Sequence, residues 1–202
     1  CPMASTEHGR VLLPMARSAI ARAVGQAVAS SHPDATAPWL QAPGATFVTL
    51  TQQGQLRGCI GTLEAHRPLY RDVEANAVAA ALRDPRFAPL QARDLQRTDI
   101  EVSLLSVREA LVFRSQGEAL AQLRPGVDGV VFEFDRFRST FLPQVWEQLP
   151  DVASFMAHLK QKAGLPVDFW SAQVRLERYT VTKWKETDFP AAPDGVPAQE
   201  AA

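Results

Sequence analysis

Apolar residues recur at helical spacing from Gly9 to Ser31 (Leu12, Ala16, Ile20, Ala23, Ala27), which predicts a long alanine-rich helix with one packed stripe. The residues before it, 1–8, show no core periodicity and are expected to form a flexible tail. Three prolines (Pro33, Pro38, Pro43) predict a loop over Ser30–Pro43, with Trp39 and Leu40 pinned to the core. Thr46–Thr51 alternates as a strand, Gln52–Gln55 reads as a turn, and a second strand runs through Leu56–Thr62, making a hairpin. On that second strand Leu56, Gly58 and Ile60 share one face, and Arg57, Cys59 and Gly61 the other. Pro68 opens a helix whose inward face is Leu69, Val73, Asn76, Ala77 and Ala80, and Pro85 ends it. Asn76 is thus a polar group on an apolar stripe, which calls for a hydrogen-bond partner.

Ile100–Val107 alternates as a strand, with Ile100, Val102 and Leu104 facing opposite Glu101, Ser103 and Leu105. A short strand and a helix over Gly117–Leu123 follow, then the turn Pro125–Gly129. Gly129–Phe134 and Arg138–Phe141 form a second hairpin, and Pro143 breaks it and opens a short helix through Trp146. Asp151 caps a helix with Val152, Phe155, Met156 and Leu159 inward, ended by Gly164. Ala172–Trp184 reads as one last strand, and 190–202 as a second flexible tail. Helices and hairpins alternate without a regular βαβ repeat, so the fold class is α+β with mainly antiparallel sheet, in one domain over 9–189.

The chemistry concentrates at Leu56-Arg57-Gly58-Cys59-Ile60-Gly61-Thr62. A glycine inside a strand marks a bulge or a close approach, so Gly58 and Gly61 suggest backbone left bare for a ligand or partner. Arg57 on the face of Cys59 would favour the thiolate, making Cys59 a candidate catalytic thiol. A small apolar residue packed in a sheet is the other reading of Cys59, and both stay open. Glu101 is costly inside an apolar strand unless paired, and would meet Arg57 if the two strands were neighbours; an edge position in water explains it equally. Asp84-Pro85-Arg86-Phe87 forms a turn braced by Asp84 and Arg86, with Phe87 as anchor. Ser103, Arg86 and Thr62 complete the candidate pocket.

Composition narrows the classes. The 202 residues are 46% hydrophobic, enough for a proper core, and the net charge of -1 argues against a general nucleic-acid footprint. Tyr179–Lys185 interleaves aromatics with lysines, yet reads more simply as a solvated strand with Trp184 packed. His8, His32, His66 and His158 are scattered, so no metal site is expected; Cys59 with His66 would need a third ligand. Two cysteines make no disulfide framework, and no signal peptide or membrane-length apolar run is visible, so a cytoplasmic protein is expected.

LRGCIGT resembles the signature of the AMMECR family, whose bacterial and archaeal relatives are called protein A of the AmmeMemoRadiSam system. Further blocks resemble the family in the same order: Ala75–Ala77, Asp84–Leu90, Ile100–Ser106, Gly126–Val130, Thr140–Val145 and Leu159–Leu165. The resemblance spans Gly9 to Trp184. It implies a larger α/β lobe built from both chain ends and a smaller lobe. It also implies a Memo-like protein and a radical S-adenosylmethionine enzyme as partners. It names no reaction and no cofactor, so the expected function is a ligand pocket or docking surface at the motif. The alternatives are a cysteine-dependent enzyme acting on a small molecule and a nucleic-acid-binding regulator.

Overall fold

The computed structural model describes residues 2–28 and 35–189. Helix α1 spans Pro2–Ala23, earlier at both ends than the periodicity predicts. Its packed stripe is Leu12, Met15, Ala16, Ala19 and Ile20. The early start accompanies contacts no periodicity reports: His8 stacks on Trp39 with ring centroids 4.0 Å apart, and Gly9 lies under Trp184. The early stop is set by Gly25, at φ +80°, where the Gln26 N–H bonds back to Ala21 O at 2.9 Å. So residues 2–8 are helical where a loose tail was expected, while 190–202 lie outside the described residues.

The described residues divide into two compact units, one holding those up to Ser103 and those from Lys183, the other Leu104–Thr182. Strands β1 (Thr46–Gln52), β2 (Gln55–Gly61), β3 (Asp99–Leu105) and β8 (Val181–Lys185) form a sheet ordered β2-β1-β3-β8. The β1–β2 hairpin turns at Gln53-Gly54, both at positive φ (52° and 76°), the primed geometry that suits right-twisted strands. Helix α2 (Pro38–Gln41) buries Leu40. Helix α3 (Leu69–Leu82) packs on both α1 and the hairpin, with Leu69, Val73, Ala77 and Ala80 buried and Ala80 against Gly58. Arg17 of α1 ties in the returning chain: its guanidinium donates to Thr98 O (2.6 Å), Leu95 O (3.1 Å) and Glu186 Oε2 (2.6 Å).

In the other unit β4 (Glu109–Ala110), β5 (Gly129–Phe134), β6 (Phe137–Phe141) and β7 (Arg175–Tyr179) form an antiparallel sheet ordered β4-β7-β5-β6. Helix α4 (Gln116–Ala121) and helix α5 (Val152–Ala163) cover a core of Phe132, Trp146, Phe155, Met156, Leu159 and Leu176. Trp146 stacks flat on Phe155, centroids 3.7 Å apart. Asp151 caps α5 by accepting from Ser154 N (2.9 Å), and Gly164 ends it at φ +95°, as the sequence predicts. The single last strand expected over Ala172–Trp184 is instead two strands broken at Thr180, one in each sheet. The fold is α+β with antiparallel pairing, as expected, and the larger unit holds both the first described segment, from Pro2, and the last, from Lys183 to Phe189. No helix among the described residues is long and apolar enough to cross a membrane.

Candidate functional site

The LRGCIGT motif is strand β2 and the residue after it, and a bulge interrupts its pairing. Leu50 faces Gly58 and Thr51 faces Leu56, which leaves Arg57 unpaired. A bulge bends the strand and re-aims a side chain. Arg57 Nη2 donates to Ala88 O at 2.7 Å, and its guanidinium carbon stands 5.9 Å from the Phe87 ring centroid. Its Nη1 is buried and has no hydrogen-bond partner among the described residues. The strand alternation had placed Arg57 beside the thiol, whereas it is committed to the Phe87–Ala88 segment.

Cys59 pairs with Thr49 across the hairpin, and its Sγ lies 3.3 Å from Thr49 Oγ1. Its N–H donates to Asp84 Oδ2 at 2.9 Å. Asp84 is buried and also accepts from Arg86 three ways: N at 3.1 Å, Nε at 3.0 Å and Nη2 at 2.7 Å. The Arg86 side chain, and after it the Cys59 N–H, holds this carboxyl far below the usual carboxylate range. The same pairing raises Arg86. Asp84 and Arg86 thus brace the turn, as expected. Arg86 also stands 5.5 Å from the Phe87 centroid, so two guanidiniums share one half-buried aromatic ring.

The two glycines are filled by the protein itself. A Cβ on Gly58 would lie 2.2 Å from Ala80 O of α3, and one on Gly61 would lie 2.2 Å from Phe47 Cγ. Thr62 joins a polar cluster centred on Asp72, which is fully buried. Asp72 accepts from Thr46 N (2.8 Å), Thr46 Oγ1 (2.7 Å), Thr62 Oγ1 (2.9 Å), Arg67 Nε (2.7 Å) and Asn76 Nδ2 (3.0 Å). Asn76 Nδ2 also donates to Thr46 O (3.0 Å), so its amide is satisfied within the core. Sequence reasoning found Asn76 and missed Asp72. The signal was there, four residues earlier on the same helical face.

Glu101 and Ser103 do not join this group. Strand β3 neighbours β1 and β8, so β1 stands between it and Arg57. Glu101 pairs with Lys185, Oε2 to Nζ 3.6 Å, so the condition for a Glu101–Arg57 meeting, neighbouring strands, is not met. Ser103 is buried on the same strand. Among the described residues no three His, Cys, Asp or Glu side chains gather as a metal site, and His66 is exposed, its Nδ1 3.0 Å from Glu64 O. Trp184 and Tyr179 are buried, so neither offers a stacking face to a base. What the motif does bring together is Arg57, Arg86, Phe87 and the Cys59 backbone. Guanidiniums in that setting suit a planar oxyanion. The Cys59 sulfur has the Thr49 hydroxyl for its hydrogen-bond partner.

A family model described as AMMECR1 matches residues 13–184. A protein of Methanothermobacter thermautotrophicus is 36% identical over 177 residues, covering 87% of this chain and 92% of that one. A protein of Methanocaldococcus jannaschii is 37% identical over 136 residues, 66% of this chain and 68% of its own length. The crystal structure of an uncharacterised protein from Pyrococcus horikoshii superposes with a TM-score of 0.72 at 30% identity, over 89% of this chain and 91% of that one. Matched along most of its length in both sequence and fold, the chain belongs to the AMMECR1 family.

Proposed function

We propose that the LRGCIGT surface is a binding site for a small oxyanion, a phosphate or carboxylate, held by Arg57 and Arg86 beside Phe87. The observation that carries this reading is the Arg57 Nη1 group, buried and without an acceptor. A donor in that state is costly, and an incoming oxyanion would satisfy it with a charge-assisted hydrogen bond. Arg86 stands over the same ring and half of its side chain is exposed (54%), so it reaches the same ligand while it still braces Asp84. Binding is favoured over covalent catalysis, because Cys59 Sγ meets Thr49 and Glu101 is engaged elsewhere.

The test is titration of the full chain with inorganic phosphate and with acetate, followed by amide chemical shifts. Saturable shifts at Cys59, Phe87 and Ala88, lost in Arg57→Gln, are expected. Their absence, or their survival in that variant, refutes the site. Following the family resemblance, we also propose that the protein works with a Memo-like protein and a radical S-adenosylmethionine enzyme. Failure of the three purified proteins to associate in any pair would remove that part.

A further inference from the structure

We infer that a second and separate site, the trough between α1 and α3, docks an acidic segment of a partner protein. The trough is shallow and open, with a volume of about 730 Å³. Its floor is small and apolar: Ala19 and Ala23 from α1, Ala75 and Val78 from α3. Larger side chains at these positions would fill it. Its rim is cationic. Arg22, Arg71 and Arg83 line it against a single carboxylate, Glu74, already paired with Arg22 at 3.1 Å. Arg71 turns its Nε to Tyr70 Oη at 2.8 Å, which orients the guanidinium, and it also feels the charge of Glu74. The Arg83 side chain is exposed at the far end of the trough.

The spacing of the charges selects the occupant. Arg71 and Arg83 stand twelve residues apart on and just past α3, roughly 18 Å along its axis. A free phosphate or a single carboxylate meets one of them and leaves the other alone. A peptide of about six extended residues spans both, with acidic side chains at its two ends for bidentate pairing and small apolar ones over the alanines. Charge complementarity thus favours an acidic peptide over a nucleic acid, whose evenly spaced phosphates would also run against Glu74.

The probe is a fluorescein-labelled peptide with two glutamates at each end of an alanine-leucine centre, with a lysine-ended peptide as control. Fluorescence anisotropy with the full chain at low ionic strength should give saturable binding of the acidic peptide only. The paired substitution Arg71→Gln with Arg83→Gln should weaken it about tenfold or more. Both side chains are exposed, so the fold is kept, which an unchanged melting curve verifies. Arg57→Gln should leave peptide binding unchanged, since that guanidinium belongs to the LRGCIGT surface. Failure here therefore reads separately from failure there. Equal binding of the lysine-ended peptide, equal binding by the double variant, or displacement by inorganic phosphate at the peptide's own concentration would each overturn the inference.

Discussion

Replacing Gly58 by alanine tests whether the bare backbone of the motif serves the fold. The added Cβ would sit 2.2 Å from Ala80 O and 3.1 Å from its carbonyl carbon. Carbon–oxygen contacts settle near 3.3 Å or beyond, so α3 must retreat by roughly 1 Å. It cannot retreat freely. Val73, Ala77 and Ala80 are buried, and five of the Asp72 and Asn76 hydrogen bonds to Thr46 and Thr62 are 2.7–3.0 Å long. Overpacking of this kind costs about 1–3 kcal/mol. One stretched bond to the Asp72 carboxylate adds about 1.5 kcal/mol. The expected loss is roughly 3 kcal/mol, or roughly 6–12 °C in Tm for a chain of this size. Gly54→Ala is the control: φ is +76° there and nothing lies within 4 Å of the added atom, so only backbone strain of about 1–2 kcal/mol applies. Both variants share the entropic effect of glycine replacement on the unfolded chain. Urea unfolding of the pair decides the matter. If Gly58→Ala costs no more than Gly54→Ala, then α3 does not bear on this glycine, and its bareness belongs to a ligand after all.

Asp72→Ala removes the acceptor of five donors and leaves Arg67 without its buried partner, so a loss of about 3–5 kcal/mol is expected by denaturant unfolding. A loss under about 1 kcal/mol would show the cluster to be dispensable. Asp84 is lowered in the folded state, so its contribution is complete above the ordinary carboxylate pKa of about 3.9 and fades as pH falls through it. Stability should therefore decline below about pH 5, and Arg86→Gln should flatten that decline; an unchanged slope contradicts the pairing. Iodoacetamide labelling of Cys59 at fixed pH, followed by peptide mapping, should keep its rate in Arg57→Ala, because that guanidinium donates to Ala88 O. Thr49→Val should alter the rate, since it removes the hydroxyl on the sulfur.

Local periodicity made much of the fold legible. The inward face of α3, the two hairpins and the capped α5 with its Gly164 stop each follow from spacing and end residues within one element. What stayed hidden depends on partners distant in sequence. The start of α1 comes with Trp39 and Trp184, and the break at Thr180 separates strands that pair in different sheets. The order of the first sheet, which puts β1 between Arg57 and Glu101, has no local signature. The bulge at Arg57 is hidden for the same reason, since it exists only against the register of β1.

Those distant contacts divide the motif by direction. Gly58 turns inward to Ala80 and Thr62 to Asp72, so these two positions of LRGCIGT seat a helix on a hairpin, while Gly61 is covered by its cross-strand neighbour Phe47. Arg57 and the Cys59 backbone meet the Asp84–Ala88 turn, where Arg86 and Phe87 join them. The inward half matters to the outward one because it removes freedom. Arg57 is fixed by Ala88 O and the Phe87 ring, and Arg86 by Asp84, before any ligand arrives. Two long side chains ordered in advance lose little rotamer entropy on binding, so a small anion can be held with few contacts. That order is what the proposed recognition of an oxyanion rests on: both guanidiniums are placed by the protein's own contacts, with the Arg57 Nη1 donor still open to an acceptor.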